Sequence, residues 1–279
     1  MRLLRLAAKL AQTNGGGMSV LKRNNVQVQG EGVKAIIFAH GFGCDQNMWR
    51  FVEPSFRARF KTVLFDNVGA GGSDLSAFKQ KKYASLQGYA DDVVDICRAL
   101  DLKSAVFVGH SVSAMIGALA AAKAPDAIGS LVMVGPSPRY INDEGYVGGF
   151  SAGQIEELLQ FLDSNHMGWS QAMAPVIMGN RDRPELIEEL TNSFCRTDPE
   201  IAKHFARTTF TSDNRADLAS IKVPTLILQC SDDVIAPLAV GEFLQQKISN
   251  STLIVLQATG HCPNLSAPAE TIAAINSFV

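Results

Sequence analysis

A serine flanked by small residues stands at the end of an apolar run, in Gly109-His110-Ser111-Val112-Ser113. A serine hydroxyl is a weak nucleophile unless an adjacent base, itself oriented by a third group, takes its proton. Two later segments carry those residue types. Cys230-Ser231-Asp232-Asp233-Val234-Ile235-Ala236-Pro237 offers a carboxylate, and Ala258-Thr259-Gly260-His261-Cys262-Pro263 offers an imidazole. Among the histidines, His261 is best placed; His166 and His204 fall on helical patterns and read as solvated, and His110 lies inside the turn. Asp233 has the D-x-x-x-P spacing to Pro237, whereas Asp232 reads as facing solvent or bonding the loop. The chemistry of such a set is acyl transfer, and its oxyanion requires two backbone donors. The Val112 amide follows the nucleophile directly, and the loop His40-Gly41-Phe42-Gly43 offers the other at Phe42. His40 is then scaffold.

These residues need a scaffold that brings them to one edge. Ser104-Ala105-Val106-Phe107-Val108 reads as a buried strand, and Val112 to Ala120 as a helix of small residues. Strand, sharp turn and helix with Ser111 at the apex is the context of a nucleophile elbow. Further apolar runs at residues 35–39, 62–65, 131–134, 225–228 and 253–256 suit a parallel sheet covered on both faces. Helical patterns lie between them: Leu86, Tyr89, Val93, Ile96 and Leu100 mark one apolar face, and Pro268 to Val279 reads as the closing helix. The fold expected is α/β, a mostly parallel doubly wound sheet with sites beyond the carboxyl ends of its strands. Ser111, Asp233 and His261 all follow such ends. From 138 to 212 no strand run appears, and helical segments at 154–162, 169–178, 185–194 and 199–210 predict a cap inserted between strands. The resulting division is 18–137 with 213–279 for the core and 138–212 for the cap.

Composition narrows the function classes. A net charge of −2, with 47% hydrophobic and 19% charged residues, carries no basic footprint for nucleic acid. No apolar run reaches the roughly 18 residues of a membrane span. Cys44, Cys97, Cys195, Cys230 and Cys262 are scattered and never in C-x-x-C pairs, which predicts reduced thiols in a cytoplasmic protein and no structural zinc. The loop Asp66 to Asp74 is glycine-rich but fits neither phosphate-binding template, and reads as a structural turn. Residues 1–17 carry Arg2, Arg5 and Lys9, then Gly15-Gly16-Gly17 before Met18. A targeting helix and an extension ahead of a start at Met18 are the two readings, and the second is preferred.

Taken together, the segments His40-Gly41-Phe42-Gly43-Cys44-Asp45-Gln46, Phe65-Asp66-Asn67-Val68-Gly69, Gly109-His110-Ser111-Val112, Val134 to Tyr140 and Gly260-His261-Cys262-Pro263 resemble the α/β-hydrolases. Within that superfamily they are similar to the RsbQ-type bacterial stress-response regulators and to the plant karrikin and strigolactone receptors. The resemblance spans Met18 to the C-terminus, with Ser113 agreeing with the plant-type elbow. It implies a triad of Ser111, Asp233 and His261 under a four-helix cap, no cofactor or metal, and an apolar cavity for a small hydrophobic ester or lactone. Pocket positions map onto Phe42, Phe150, Trp169, Met173 and Phe210. A PAS-domain protein phosphatase is the partner it implies, in a general stress response. A metabolic carboxylesterase, enol-lactone hydrolase or carbon–carbon hydrolase is the alternative, and a non-catalytic ligand-binding protein the third reading.

Overall fold

In the computed structural model, which describes residues 19–279, seven strands form one sheet. The expectation for residues 1–17 lies outside the described residues. The strands are β1 (Gln27–Gln29), β2 (Ala35–Ala39), β3 (Lys61–Phe65), β4 (Ala105–His110), β5 (Ile128–Val134), β6 (Thr225–Asp232) and β7 (Ser251–Thr259). Their order is β1-β3-β2-β4-β5-β6-β7, with β1 antiparallel to β3 and the other pairs parallel. The six apolar runs became β2 to β7. Strand β1 has no run to read: Gln27-Val28-Gln29 is half-exposed and holds an edge.

Both faces of the sheet are covered, which explains the unbroken apolar strands. Ile36, Phe38, Val106, Val108, Val132 and Leu226 point into one cluster, while Ile37, Val63, Phe107, Leu131 and Ile227 point into the other. The second face packs on α1 (Leu86–Ala99) and α2 (Val112–Lys123). Helix α1 buries Leu86, Tyr89, Val93 and Ile96 on a single stripe. Helix α2 is buried from Val112 to Ala121, so its small residues let it lie tightly against the sheet.

Between β5 and β6 run α3 (Ala152–Ser164), α4 (His166–Met178), α5 (Pro184–Arg196) and α6 (Pro199–Phe210). A capping box at Ser151 and Gln154 starts α3, and the Asp198 carboxylate caps α6 by accepting from the Glu200 and Ile201 amides. After α7 (Leu238–Lys247) and β7, the chain closes with α8 (Pro268–Asn276), three residues short of the expected Val279. Among the described residues, no helix is long and apolar enough to cross a membrane.

Strand order sets the place of the site. The chain passes from β2 to β3 on one side, then crosses to lay β4 on the other side of β2. The connections that leave the neighbouring carboxyl ends of β2 and β4 therefore run to opposite sides, to β3 and to β5, and make a switch point, where open α/β sheets form their crevice. The His40–Gly43 loop and the Ser111 turn leave from these two ends.

Candidate active site

Ser111 sits between β4 and α2 with φ 56° and ψ −124°, a conformation that costs a non-glycine residue about 1–3 kcal/mol. The turn is tight enough that a β-carbon on Gly109 would lie 2.4 Å from the Ser113 carbonyl oxygen, so position 109 admits only glycine. Ser113 fills the place of a second glycine because its hydroxyl donates to His40 O at 2.5 Å. That bond ties the elbow to the β2 loop.

His261 Nε2 is 2.7 Å from Ser111 Oγ, and its Nδ1 is 2.7 Å from Asp233 Oδ2. The other carboxylate oxygen of Asp233 accepts the amides of Ile235 and Ala236 at 2.8 and 3.2 Å. Asp233, the acid preferred from its spacing to Pro237, is buried and meets His261, whereas Asp232 beside it is exposed. All three side chains are less than a tenth exposed. The His261 backbone is held from a second direction, its N–H donating to Ile177 O at 2.8 Å. Gly260, at φ 85°, permits this approach, since a β-carbon there would meet Met178 O at 1.9 Å. The arrangement can draw the proton from the serine hydroxyl into a fixed imidazole whose charge the carboxylate balances.

Around this set, the neighbouring histidines are structural. His40 Nε2 accepts the Asn67 amide, so its Nδ1–H donates to Gly41 O. His110 donates from Nε2 to His261 O at 2.7 Å, and burial pushes its pKa down to about 3, which keeps it neutral. His204 departs from the solvated reading: it is half-buried, bonds Tyr83 O at 3.0 Å and stands edge-on to Phe78. His166 is also half-buried, and that burial lowers its pKa.

Val112 opens α2, where the first amides have no intrahelical acceptor. Phe42 lies in the β2 loop, which comes so near that a β-carbon on Gly41 would be 3.2 Å from Ser111 Cβ. Outside the regular elements, neither the Phe42 nor the Val112 amide donates to a backbone carbonyl of the described residues. Two donors are thus free beside the nucleophile.

The cavity over Ser111 holds about 30 Å³, room for roughly one water molecule. Phe42 and Phe210 line it, with Tyr140, Ile177, Leu190 and Phe194. Trp169 stands behind the wall, edge-on to Phe42 at 5.9 Å. Phe150 and Met173 are half-buried and outside the lining; Phe150 pairs instead with Ile141 across the irregular segment before α3. Tyr140, whose hydroxyl is 3.4 Å from Ser111 Oγ, had no role in the sequence reading beyond its place in a motif. Burial raises its pKa, so it is a proton donor and not an anion near neutral pH. Cys44 and Cys262 also line the cavity, and burial pushes the Cys44 thiol up to about 12, which makes it a poor nucleophile.

A larger outer cleft of about 550 Å³ lies across Cys44, between the 43–47 and 66–75 loops and the end of α5. The Asp66–Asp74 loop forms one bank. Its buried Asp66 accepts the Gln46 and Gly72 amides and the Asn25 side chain, so its carboxylate organises the turn. Among the described residues, no group of three or more metal-ligating side chains comes together.

Comparison with known proteins agrees with this fold. The profile of the α/β-hydrolase fold family matches residues 34–268. A strigolactone esterase of Arabidopsis thaliana is 37% identical over 90% of this chain and 94% of its own length. A karrikin-insensitive 2 receptor of Petunia hybrida is 38% identical, covering 88% of this chain and 90% of its own. Among solved structures, a hydrolase from Oleispira antarctica superposes with a TM-score of 0.91 at 45% identity, over 93% of this chain and 95% of that one.

Proposed function

The chain belongs to the α/β-hydrolase fold family, and from that premise we propose that it is a serine hydrolase of small hydrophobic esters or lactones. Ser111 is the nucleophile, His261 the general base and acid, and Asp233 the group that orients it. His261 Nε2 takes the Ser111 proton as Oγ bonds to the substrate carbonyl carbon. The carbonyl electrons move onto oxygen, where the Phe42 and Val112 amides receive the charge. Collapse expels the alkoxide, which takes the proton from His261 and leaves an acyl-serine. Water, deprotonated by the same imidazole, then attacks the acyl carbon; the acyl–Oγ bond breaks, His261 returns the proton to Ser111 Oγ, and the acid leaves. The cycle consumes only water. Helices within 138–212 act as the cap that excludes bulk solvent.

One observation carries this reading: the unbroken chain Ser111 Oγ, His261, Asp233, with 2.7 Å at each link and each group buried at the switch point. Hydrolysis of p-nitrophenyl acetate is the direct test. Ser111→Ala is expected to lower kcat by about 10³-fold or more, since nothing else near the carbonyl can form the ester intermediate. Turnover unchanged in that variant refutes the assignment.

A ligand-sensing use is the finer part of the proposal. It is supported by the likeness to the plant esterase and receptor. The partner class is a PAS-domain protein phosphatase, implied by the bacterial resemblance. Purified phosphatase captured by this protein only with ligand present supports sensing. Equal hydrolysis with no capture supports the metabolic esterase instead.

A further inference from the structure

Nearly every oxygen and nitrogen of the side chains around the cavity is committed. Ser111 and His261 bond one another, His261 bonds Asp233, and the Tyr140 hydroxyl faces Ser111. His110 uses Nε2 on His261 O, and its unpaired Nδ1 is shut against the β2 loop, where a β-carbon on Gly41 would lie 2.5 Å away. The exception is Thr209, which lines the cavity, is 1% exposed and leaves Oγ1 without a partner.

That orphan is not explained by its helix. A helical threonine ordinarily donates to the carbonyl one turn back. Thr191, Thr211 and Thr271 do so, to Ile187, Arg207 and Ala267. Thr208, one residue before, turns outward and donates to Tyr83 O at 3.1 Å. Thr209 lines the cavity instead, as does Phe210, which meets the Tyr140 and Phe42 rings. A buried hydroxyl left unpaired costs about 1–3 kcal/mol, and a valine of the same shape would avoid that cost.

Resting on the hydrolase reading of the same cavity, we propose that Thr209 is a specificity-determining residue that binds a second oxygen of the substrate. The ester or lactone that reaches Ser111 carries, away from its scissile carbonyl, an ether or keto oxygen that accepts a hydrogen bond from Thr209 Oγ1. Tyr140 stays with the reacting oxygen, and Thr209 reads the distal one. An all-carbon ester of equal length leaves the hydroxyl unpaired and is the poorer substrate.

Matched esters test this. p-Nitrophenyl methoxyacetate is compared with the butanoate, and p-nitrophenyl 3-methoxypropanoate with the pentanoate. On the alcohol side, 2-methoxyethyl acetate is compared with butyl acetate. For each pair the ratio of kcat/KM, ether over methylene, is measured in wild type, Thr209→Val and Thr209→Ser; intrinsic reactivity cancels between proteins. In at least one pair Thr209→Val lowers the ratio by about threefold to tenfold, the span of one net hydrogen bond, and Thr209→Ser preserves it. Thermal unfolding of Thr209→Val is expected at or above the wild-type Tm, because the hydroxyl has no partner to lose. Ratios unchanged in all pairs overturn the proposal, as does an equal loss in Thr209→Ser or a lower Tm in Thr209→Val. Ser111→Ala in the same assays separates the two readings: if it still turns the esters over, the hydrolase assignment fails whatever Thr209 does.

Discussion

Asp233→Asn removes one charge from the site and almost no volume, and its effect can be worked from four bonds. The carboxylate gives one oxygen to His261 Nδ1 at 2.7 Å and the other to the Ile235 and Ala236 amides at 2.8 and 3.2 Å. In asparagine the carbonyl oxygen must stay on the two amides, because an NH₂ group facing two N–H donors finds no acceptor. The NH₂ then points at His261 Nδ1, which can only accept, and the ring proton moves to Nε2. Nε2–H now donates to Ser111 Oγ across the same 2.7 Å, so the base is lost with the geometry intact. A tautomer error of this kind costs serine proteases about 10⁴ in kcat, or about 5.5 kcal/mol at the barrier. A loss of about 10³ to 10⁴ is expected here, with KM for p-nitrophenyl acetate changed by less than about threefold. Folding stability should move by less than about 2 kcal/mol in urea, because the backbone bonds persist. Asp232→Asn, on an exposed side chain, is expected to match wild type. An Asp233→Asn enzyme within tenfold of wild type, or an equal loss in Asp232→Asn, would refute the reasoning.

Gly109→Ala places a methyl group 2.4 Å from a backbone oxygen and should destabilise by about 1–3 kcal/mol while displacing Ser111; differential scanning calorimetry and ester turnover read both. Asp92 is buried at 2% exposure and accepts from Arg23 at 2.6 Å, from the Tyr83 hydroxyl at 2.8 Å and from Lys82; Asp92→Ala should cost about 3–5 kcal/mol in urea unfolding, and a cost below about 1 kcal/mol would mean the network is dispensable. Asp213 joins the two ends of the helical segment through Arg139 and Arg215, each at 2.7 Å, and its Arg215 bond holds its pKa down, from 3.8 to about 2. A depressed carboxylate stabilises the fold above its unfolded pKa, and that stability disappears as pH falls from about 4 to about 2. Solvent screening on this partly exposed group leaves about 1 kcal/mol, so Asp213→Asn should flatten Tm against pH in that window; identical profiles would show the pair to be inert.

The chemistry was legible in residue types and their order along the chain because the fold makes position local. A short apolar strand followed at once by a turn puts the next residue on the carboxyl edge of the sheet, so Ser111, Asp233 and His261 could each be placed from their own neighbours. The same locality located the helical segments, whose stripes recur at three and four residues. It failed for Gln27–Gln29, where an exposed edge strand leaves no apolar signature. It failed also for His204, since a helical histidine looks alike whether it meets water or the Tyr83 carbonyl.

What surrounds the serine was decided only by the tertiary structure. Phe42 and Phe210 line the cavity while Phe150 and Met173 do not, because the aim of each side chain depends on how the loops and helices between β5 and β6 pack over the sheet edge. Thr209 had no mark at all: a threonine on a helix is ordinary until its neighbours show that the usual backbone bond is not made. Sequence by itself determined which three residue types stand at three strand ends, since each position follows from its own neighbours along the chain. Packing decided the space above them, because a cavity is what is left between side chains that are distant in sequence.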